Sequence, residues 1–394
     1  MPKAFQILAV FLLLCACTSK TNPAISESEE DGYTFRQISY EQISDSLDLK
    51  LSDLATDWKF IPLETLEDCM IKRAEYYVYE RFIIANLPFD KILLFDGQGK
   101  YIQKITQYGK GPQEIARATL SVDEVNDILY VADEHKSYLM SWDLNTGTYL
   151  GDIPRPYKGR INRVIATDNK TLWLAPVVGY FESGDYYAWE QDLQGNIIQE
   201  IKAPHYNTYK DMGSGLLYPR DNGYNYLPVR SDTIFSISEN ILVPSWYVNL
   251  GEDNKKLYQK VGHRSFNYFF ESNRFFCGKI STITWIEVTD LGNGGSSSRY
   301  TAKRELLVVE KRTHKTTLNQ TIKNDFLGTQ IANHQIHALT NQHLLVIEDA
   351  INFLEKAEFT LADPNIDNKI KSKINGIISQ LDEEDNPVLL IGKI

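Results

Sequence analysis

The chain has 394 residues, a formal net charge of −11 and 12% aromatic residues. This acidic balance argues against nucleic acid as the main partner, because phosphate binding requires a basic surface. Cys69 and Cys277 are the only cysteines beyond the first seventeen residues. They cannot make a disulfide framework, so we expect buried free thiols and a fold that rests on its core.

The N-terminus has the layout of a secretory signal. Lys3 precedes an apolar run over residues 4–14 that is too short to span a bilayer. The sequence LCAC at residues 14–17 resembles a bacterial lipobox, which predicts that a signal peptide of residues 1–16 is removed and that Cys17 is lipidated. The alternatives are an ordinary signal cleaved near Ala16 and, less favoured, a Cys-x-Cys metal pair.

Residues 17–32 are small, polar and acidic, with a single large apolar side chain. Such a segment cannot bury enough apolar surface to fold. It predicts a disordered tether, followed by one folded domain over residues 33–394.

Three segments, 91–105, 137–153 and 186–201, repeat one pattern of a β-rich run, an aspartate, a glycine and a second β-rich run. Their aspartates, Asp96, Asp143 and Asp192, are 47 and 49 residues apart. This period matches one four-stranded propeller blade. We predict that the aspartates form hairpin turns, since aspartate bonds to the backbone ahead of it and glycine accepts a positive φ.

Two further β-rich runs precede each of these hairpins, which completes three blades of four strands. A fourth blade is predicted over 223–250, a fifth over 304–322 after a long excursion, and a sixth from residue 331.

The last blade is interrupted by a helix. Apolar residues recur at helical spacing from Ile366 to Leu381, and Asp363 is the predicted cap. This blade then lacks one strand. We predict that residues 33–40 supply it beside 386–394, which closes the ring and removes exposed strand edges.

The segment YGKGPQE at residues 108–114 has the glycines and lysine of a phosphate-binding loop. Such a loop must end in Gly-Lys-Ser/Thr and lead into a helix. Here glycine and proline follow Lys110, and the next element is a predicted strand. The segment is therefore predicted to be a turn between blades.

Four segments carry a resemblance to a known family: IPLET (61–65), ILLFDGQGKYIQKI (92–105), GKGPQEI (109–115) and NPVLLIGKI (386–394). With the lipobox, they resemble the six-bladed β-propeller lipoproteins of Gram-negative envelopes, relatives of NHL-repeat propellers. The resemblance covers nearly the whole mature chain and is weak across 203–300. It implies an all-β, six-bladed propeller in the cell envelope. That family has no established catalytic residues, so none is transferred.

No enzymatic motif stands out. His334 and His337 have a metal-like spacing, but residues three apart in a strand point to opposite faces, and a loop separates His337 from His343. Zinc spacing, a helical HExxH and a G-x-S-x-G turn are absent from the sequence. We therefore predict no catalytic residue, no metal and no cofactor.

The positive signal is aromatic and basic, in two segments that break the repeat, 203–230 and 263–276. Tyrosine and arginine combine apolar area with directed hydrogen bonds, and binding surfaces favour them. Aromatic residues that fill the wedges between blades are the alternative. The ligand-binding candidates are Tyr218, Arg220, Tyr226, Arg230, Tyr268 and Arg274.

The sequence thus predicts a lipid-anchored envelope protein whose propeller is a binding or scaffold module for a peptide, a glycan or another protein. We favour the outer membrane, with the domain in the periplasm or at the cell surface. A propeller hydrolase or lyase with a metal in its central channel is the alternative.

Overall fold

The structure is a computed structural model. It describes residues 24–30, 33–43, 47–167, 170–178, 186–202, 213–220, 223–228, 231–238, 240–251, 260–290, 296–339 and 343–394. The predicted signal peptide, Cys17 and Arg230 lie outside these ranges. Among the described residues, no helix has both the length and the apolar character needed to cross a membrane.

Four short elements open the described chain: β1 (Ile25–Glu30), β2 (Tyr33–Ser39), α1 (Leu51–Leu54) and β3 (Thr56–Pro62). Six sheets, each built on four antiparallel strands, account for most of the remaining described residues.

Sheet one contains β4 (Glu75–Val78), β5 (Phe82–Asn86), β6 (Lys91–Asp96) and β7 (Tyr101–Gln107). Sheet two contains β8 (Ala118–Asp123), β9 (Ile128–Asp133), β10 (Tyr138–Asp143) and β11 (Tyr149–Pro154). Sheet three contains β12 (Ile161–Ala166), β13 (Thr171–Val178), β14 (Tyr186–Asp192) and β15 (Ile197–Lys202), with β16 (Gly213–Ser214) paired to β13.

Sheet four contains β17 (Leu216–Arg220), β18 (Gly223–Leu227), β19 (Thr233–Ser238) and β20 (Ile241–Asn249), and it is extended by β2 and β1. Sheet five contains β21 (Arg264–Glu271), β22 (Phe275–Asp290), β23 (Ser296–Glu310) and β24 (Thr316–Asn319). A two-stranded pair, β25 (Thr321–Asn324) and β26 (Thr329–Ala332), comes next. Sheet six contains β27 (Ile336–Ala338), β28 (His343–Glu348), β29 (Val388–Lys393) and β3, with α2 (Ala350–Ala362) and α3 (Asn368–Ile378) between β28 and β29.

The mostly β prediction is confirmed, and the strands of sheets one to three follow the repeat. Asp96, Asp143 and Asp192 accept hydrogen bonds from backbone amides two to four residues ahead, for example Asp96 Oδ1 from Gln98 N at 2.8 Å. The glycines after these aspartates adopt φ values of 86°, 70° and 85°. These aspartates are turn formers, as predicted.

The YGKGPQE segment is a turn between sheets one and two. Gly109 N donates to Ile115 O at 2.9 Å, and Glu114 Oε2 accepts from Gly111 N at 2.8 Å. The Lys136 ammonium group donates to the carbonyls of Gly111 and Pro112. The carbonyl groups of this glycine-rich turn therefore accept hydrogen bonds from a lysine side chain.

The predicted closing strand was wrong. Residues 56–62, as β3, pair antiparallel with β29 and complete sheet six. Residues 33–39, as β2, pair in parallel with β20 of sheet four. Trp58 explains why residues 56–62 complete sheet six. Its ring packs against Gly392 of β29, which has no side chain, and its Nε1 donates to Ala55 O at 3.0 Å.

The predicted tether over 17–32 is ordered in part. Ile25–Glu30 pair antiparallel with β2, and Arg36 Nε forms an ion pair with Glu27 Oε1 at 2.5 Å. The acidic residues therefore meet a basic partner on β2. Residues 17–23 lie outside the described residues.

The helical insertion is longer than predicted and is divided in two. Asp363 ends α2, and its Oδ1 accepts from Asn365 N in the next turn. The cap of α3 is instead Asp367, which accepts from Lys369 N at 2.6 Å. Of the predicted apolar face, Ile374 is fully buried.

The core consists of six clusters, and each cluster lies between two sheets. Sheets one and two share a cluster, as do two and three, three and four, four and five, and five and six. The sixth cluster joins sheet six to sheet one, with Leu389 and Ile391 against Ile83, Leu93 and Phe95. Each sheet thus packs against two others.

Long and short connections leave the sheets at opposite ends. Because the strands alternate in direction, the connection between the second and third strands and the connection to the next sheet both lie where the first strand begins. Helices α2 and α3 and the β25–β26 pair all belong to this end, which we call the long-connection end. The short-turn end carries turns such as 97–100 and 144–148.

Candidate functional site

A cavity of about 640 Å³ is lined by the first strands of all six sheets. One residue from each of these strands is Tyr77, Thr119, Asn162, Leu216, Tyr268 and His337. Connections of the long-connection end, among them 86–90 and 115–117, also contribute to the lining. The volume falls within the range of small-molecule sites in proteins.

The charged groups of the lining, as far as its residues are described, belong to arginines and carboxylates and not to lysine. Its charged residues are Arg73, Arg117, Arg160 and Arg163, with Glu75, Asp90 and Glu134. Arg160 Nε lies 3.4 Å from Glu134 Oε2, whereas Arg73, Arg117 and Arg163 form no ion pair within the described part of the chain. Among the described lining residues, cations therefore outnumber anions by one, although the whole chain is acidic.

Arg163 is held between tyrosines. Its guanidinium carbon lies 5.4 Å from the ring centroid of Tyr218, a cation–π distance. Its positive charge lowers the pKa of Tyr77, Tyr218 and Tyr268 against the larger opposing effect of burial. The Nε of Arg163 is buried and has no hydrogen-bond partner in the described residues.

Tyr268 is fixed by three neighbours. Its hydroxyl donates to Ala338 O at 2.5 Å, and its ring lies edge-on to Tyr218 with centroids 5.8 Å apart. The Lys279 ammonium group lies 5.0 Å from the Tyr268 ring centroid and donates to Ile336 O. Burial and the charge of Arg304 lower the pKa of Lys279 to about 8.

His337 lines the cavity, where its side chain keeps an exposed surface although the surrounding protein removes part of the water around its ring. Burial, followed by the positive charge of Lys279, lowers the pKa of His337 to about 4. His337 is therefore neutral at physiological pH and can donate or accept a hydrogen bond.

The six predicted ligand-binding residues do not form one site. Tyr218 and Tyr268 come together beside Arg163, as described above. Tyr226 is fully buried against Tyr187, with ring centroids 5.0 Å apart, so it packs the core between sheets three and four. Arg230 lies outside the described residues.

The two remaining candidates lie on the surface at the short-turn end. Arg220 ends β17 and donates to Ser236 Oγ at 3.0 Å. Arg274 lies in the turn between β21 and β22, where its Nε is 3.0 Å from Glu310 Oε1 and its NH1 is 3.7 Å from Asp53 Oδ1. Both residues therefore lie at the opposite end of the sheets from the long connections that line the cavity.

The aromatic segments 203–230 and 263–276 were described as breaking the repeat, because they lack the Asp-x-x-Gly signature. Residues 216–220, 223–227 and 264–271 are strands, and their aromatic rings alternate into the packing between sheets. Arg163 and Tyr77 were missed, although both lie in predicted first strands. The signal that could have found them is a charged or polar aromatic side chain in the first strand of a repeat.

Within the described residues, no group of three histidine, cysteine or carboxylate side chains is arranged to hold a metal ion. His334 lies in a single 3₁₀ turn, and His343 faces Lys393 across β28 and β29. Cys69 and Cys277 are buried and free, and burial raises the pKa of both thiols.

Together these features define a mostly β protein of repeated four-stranded sheets with an arginine- and tyrosine-lined cavity. The chain belongs to the family described as Domain of unknown function (DUF4934), which matches residues 35–393. No curated protein matches the chain.

Three solved structures match the chain at low sequence identity. A crystal structure of a protein from Bacteroides fragilis, named as exported, has a TM-score of 0.60 and 13% identity, covering 91% of this chain and 99% of that one. A DUF4221 member from Bacteroides vulgatus has a TM-score of 0.44 and 11% identity, covering 86% and 98% of the two chains. Hydrazine synthase of Kuenenia stuttgartiensis has a TM-score of 0.40 and 8% identity, covering 84% and 90%.

Proposed function

We propose that the chain is an exported six-bladed β-propeller that binds a ligand in its cavity. The ring is supported by the six core clusters, which join the sheets in cyclic order and include one between sheet six and sheet one. In such a ring the first strands surround a central channel. The cavity among those strands is then the mouth of that channel.

One observation carries the binding function: the cavity gathers residues from all six sheets around Arg163, whose Nε has no hydrogen-bond partner among the described residues. A buried donor without a partner costs about 1–3 kcal/mol, so natural sites that keep one usually offer it to a ligand or to water. The long connections lie at the same end, and loops on a rigid scaffold commonly carry function.

Export and anchoring belong to the same proposal. The signal layout of residues 1–16 and the lipobox at Cys17 support an envelope lipoprotein. The Bacteroides fragilis protein of similar fold is named as exported, which agrees with this location. The partner can be a peptide, a glycan or another protein that presents a group small enough for the cavity.

A plugged cavity tests the proposal. His337→Trp adds a large ring inside the cavity, and His334→Trp adds the same ring at an exposed position that does not line it. Both variants and the wild type are incubated with a cell-envelope extract, washed by ultrafiltration and denatured, and the released species are identified by mass spectrometry. Binding predicts a species retained by the wild type and His334→Trp but absent from His337→Trp.

The same experiment separates the alternative of a hydrolase or lyase. An enzyme would deplete a species and release a new product over time, again only when the cavity is open. If retention and conversion are identical in the plugged variant, the cavity is not the functional site.

A further inference from the structure

We infer that the ligand of this cavity carries a carboxylate and that Arg163 binds it; this inference rests on the proposed binding function. The guanidinium group forms two parallel hydrogen bonds with a carboxylate in a planar fork. Arg163 is half-buried, lines the cavity and forms no ion pair within the described residues, so the exposed part of its guanidinium group can present this fork to a ligand.

The neighbours of Arg163 fix its orientation. The guanidinium lies over the Tyr218 ring, and Tyr218 in turn lies edge-on to Tyr268, whose hydroxyl is tied to Ala338 O. A preoriented side chain loses little conformational freedom on binding, which favours affinity.

The charge balance favours a monoanion. The described residues of the lining include four arginines and three carboxylates, and Glu134 already pairs with Arg160. A dianionic phosphate would meet the negative charges of Glu75 and Asp90 with only one net cation to offset them. A single carboxylate matches the excess of one.

His337 supports the same reading from the opposite side of the cavity. Its ring is neutral, because burial and Lys279 hold its pKa near 4, and it lies on the first strand of sheet six. A neutral imidazole can donate to a hydroxyl or carbonyl of the ligand body without adding a second charge.

The test uses the full folded chain and small probes of matched shape. Galacturonate and N-acetylglutamine each carry a single carboxylate, galactose and N-acetylglutaminamide are their neutral counterparts, and inorganic phosphate is the third arm. Binding is measured by calorimetry. We expect at least one carboxylate probe to bind at least tenfold more tightly than its neutral counterpart and than phosphate.

Substitutions assign the role to Arg163. Arg163→Met should weaken the carboxylate probe roughly ten- to hundredfold, since hydrogen bonds to a charged group contribute about 1.5–3 kcal/mol. Arg163→Lys keeps the charge but loses the fork, so we expect an intermediate loss. Arg220→Met, at the short-turn end, is the matched control and should change binding by less than twofold.

Arg117→Met gives a second test at the cavity, which does not depend on whether the Arg163→Met variant folds. Arg117 is exposed at the cavity rim and has no ion pair in the described chain, so its removal should leave the fold intact and weaken the carboxylate probe less than Arg163→Met. Equal binding of neutral and carboxylate probes, or tighter binding of phosphate, would overturn the inference. If a neutral species from the extract is retained in a cavity-dependent manner, the proposed function stands and the carboxylate inference fails.

Discussion

Asn386 links the last segment of the chain to the segment that enters sheet one, and its removal should destabilise the whole domain. The residue is 2% exposed. Its Oδ1 accepts from Ile71 N at 2.8 Å, and its Nδ2 donates to Glu64 O at 2.8 Å and Cys69 O at 2.9 Å. Three backbone groups from one loop thus depend on a single side chain.

Asn386→Ala removes all three hydrogen bonds at a buried position, and of their backbone partners Glu64 O keeps a bond from Cys69 Sγ at 3.2 Å. At about 1 kcal/mol for each bond, the free energy of unfolding should fall by about 3 kcal/mol, and incomplete access of water to the stranded groups would increase the loss. Urea unfolding followed by tryptophan fluorescence measures this change as a lower midpoint at unchanged slope.

The matched control is Asn365→Ala. Asn365 is exposed, and its side chain bonds only to Asp363 Oδ1, so we expect a loss of about 0.5 kcal/mol or less. If both variants unfold at the same urea concentration, the Asn386 contacts do not stabilise the junction of sheets six and one, and the reasoning is refuted.

Other parts of the molecule give three further predictions. Deleting residues 388–393 removes a central strand of sheet six and leaves β3 unpaired, so cooperative unfolding should be lost; a sharp thermal transition in the truncated protein would contradict this. Cys17→Ala should release the protein from membranes, and persistence in the membrane fraction at high salt would point to another anchor. The folded pKa of His337 lies below its ordinary value of about 6.5, so the unfolded state binds more protons between pH 6.5 and about 4 and stability falls as the pH drops across that window. His337→Gln should therefore lose less stability than the wild type between pH 7 and pH 4.5 in urea titrations, and parallel losses would exclude this role.

The repeat in the sequence predicted sheets one to three because each carries its own local signal. Asp96, Asp143 and Asp192 fold the chain within a few residues, so the turn and its flanking strands are set without distant contacts. Sheet five has no such signal in its first two strands. β21 pairs with β22, and β22 pairs with β23, which is the next strand along the chain.

The closing strand could not be chosen from the sequence because two segments, 33–40 and 56–62, have similar β-forming composition. The choice depends on how well Trp58 fits over Gly392 across β29 and β3. The residues that line the cavity could not be grouped from the sequence either. Tyr77, Arg163 and Tyr268 are far apart in the chain, and only the packing of the sheets brings them to one place.

The pairing of β1 with β2 limits how far the domain can move from a lipid attached at Cys17. Ala24 O accepts from Ser39 N at 2.8 Å, so the chain is fixed to sheet four from Ala24 onward. The link from Cys17 to Ala24 can span at most about 25 Å even when fully extended, at roughly 3.5 Å per residue. An anchored molecule would thus keep the outer strands of sheet four close to the bilayer. The orientation of the cavity opening relative to the bilayer would then be restricted by this attachment.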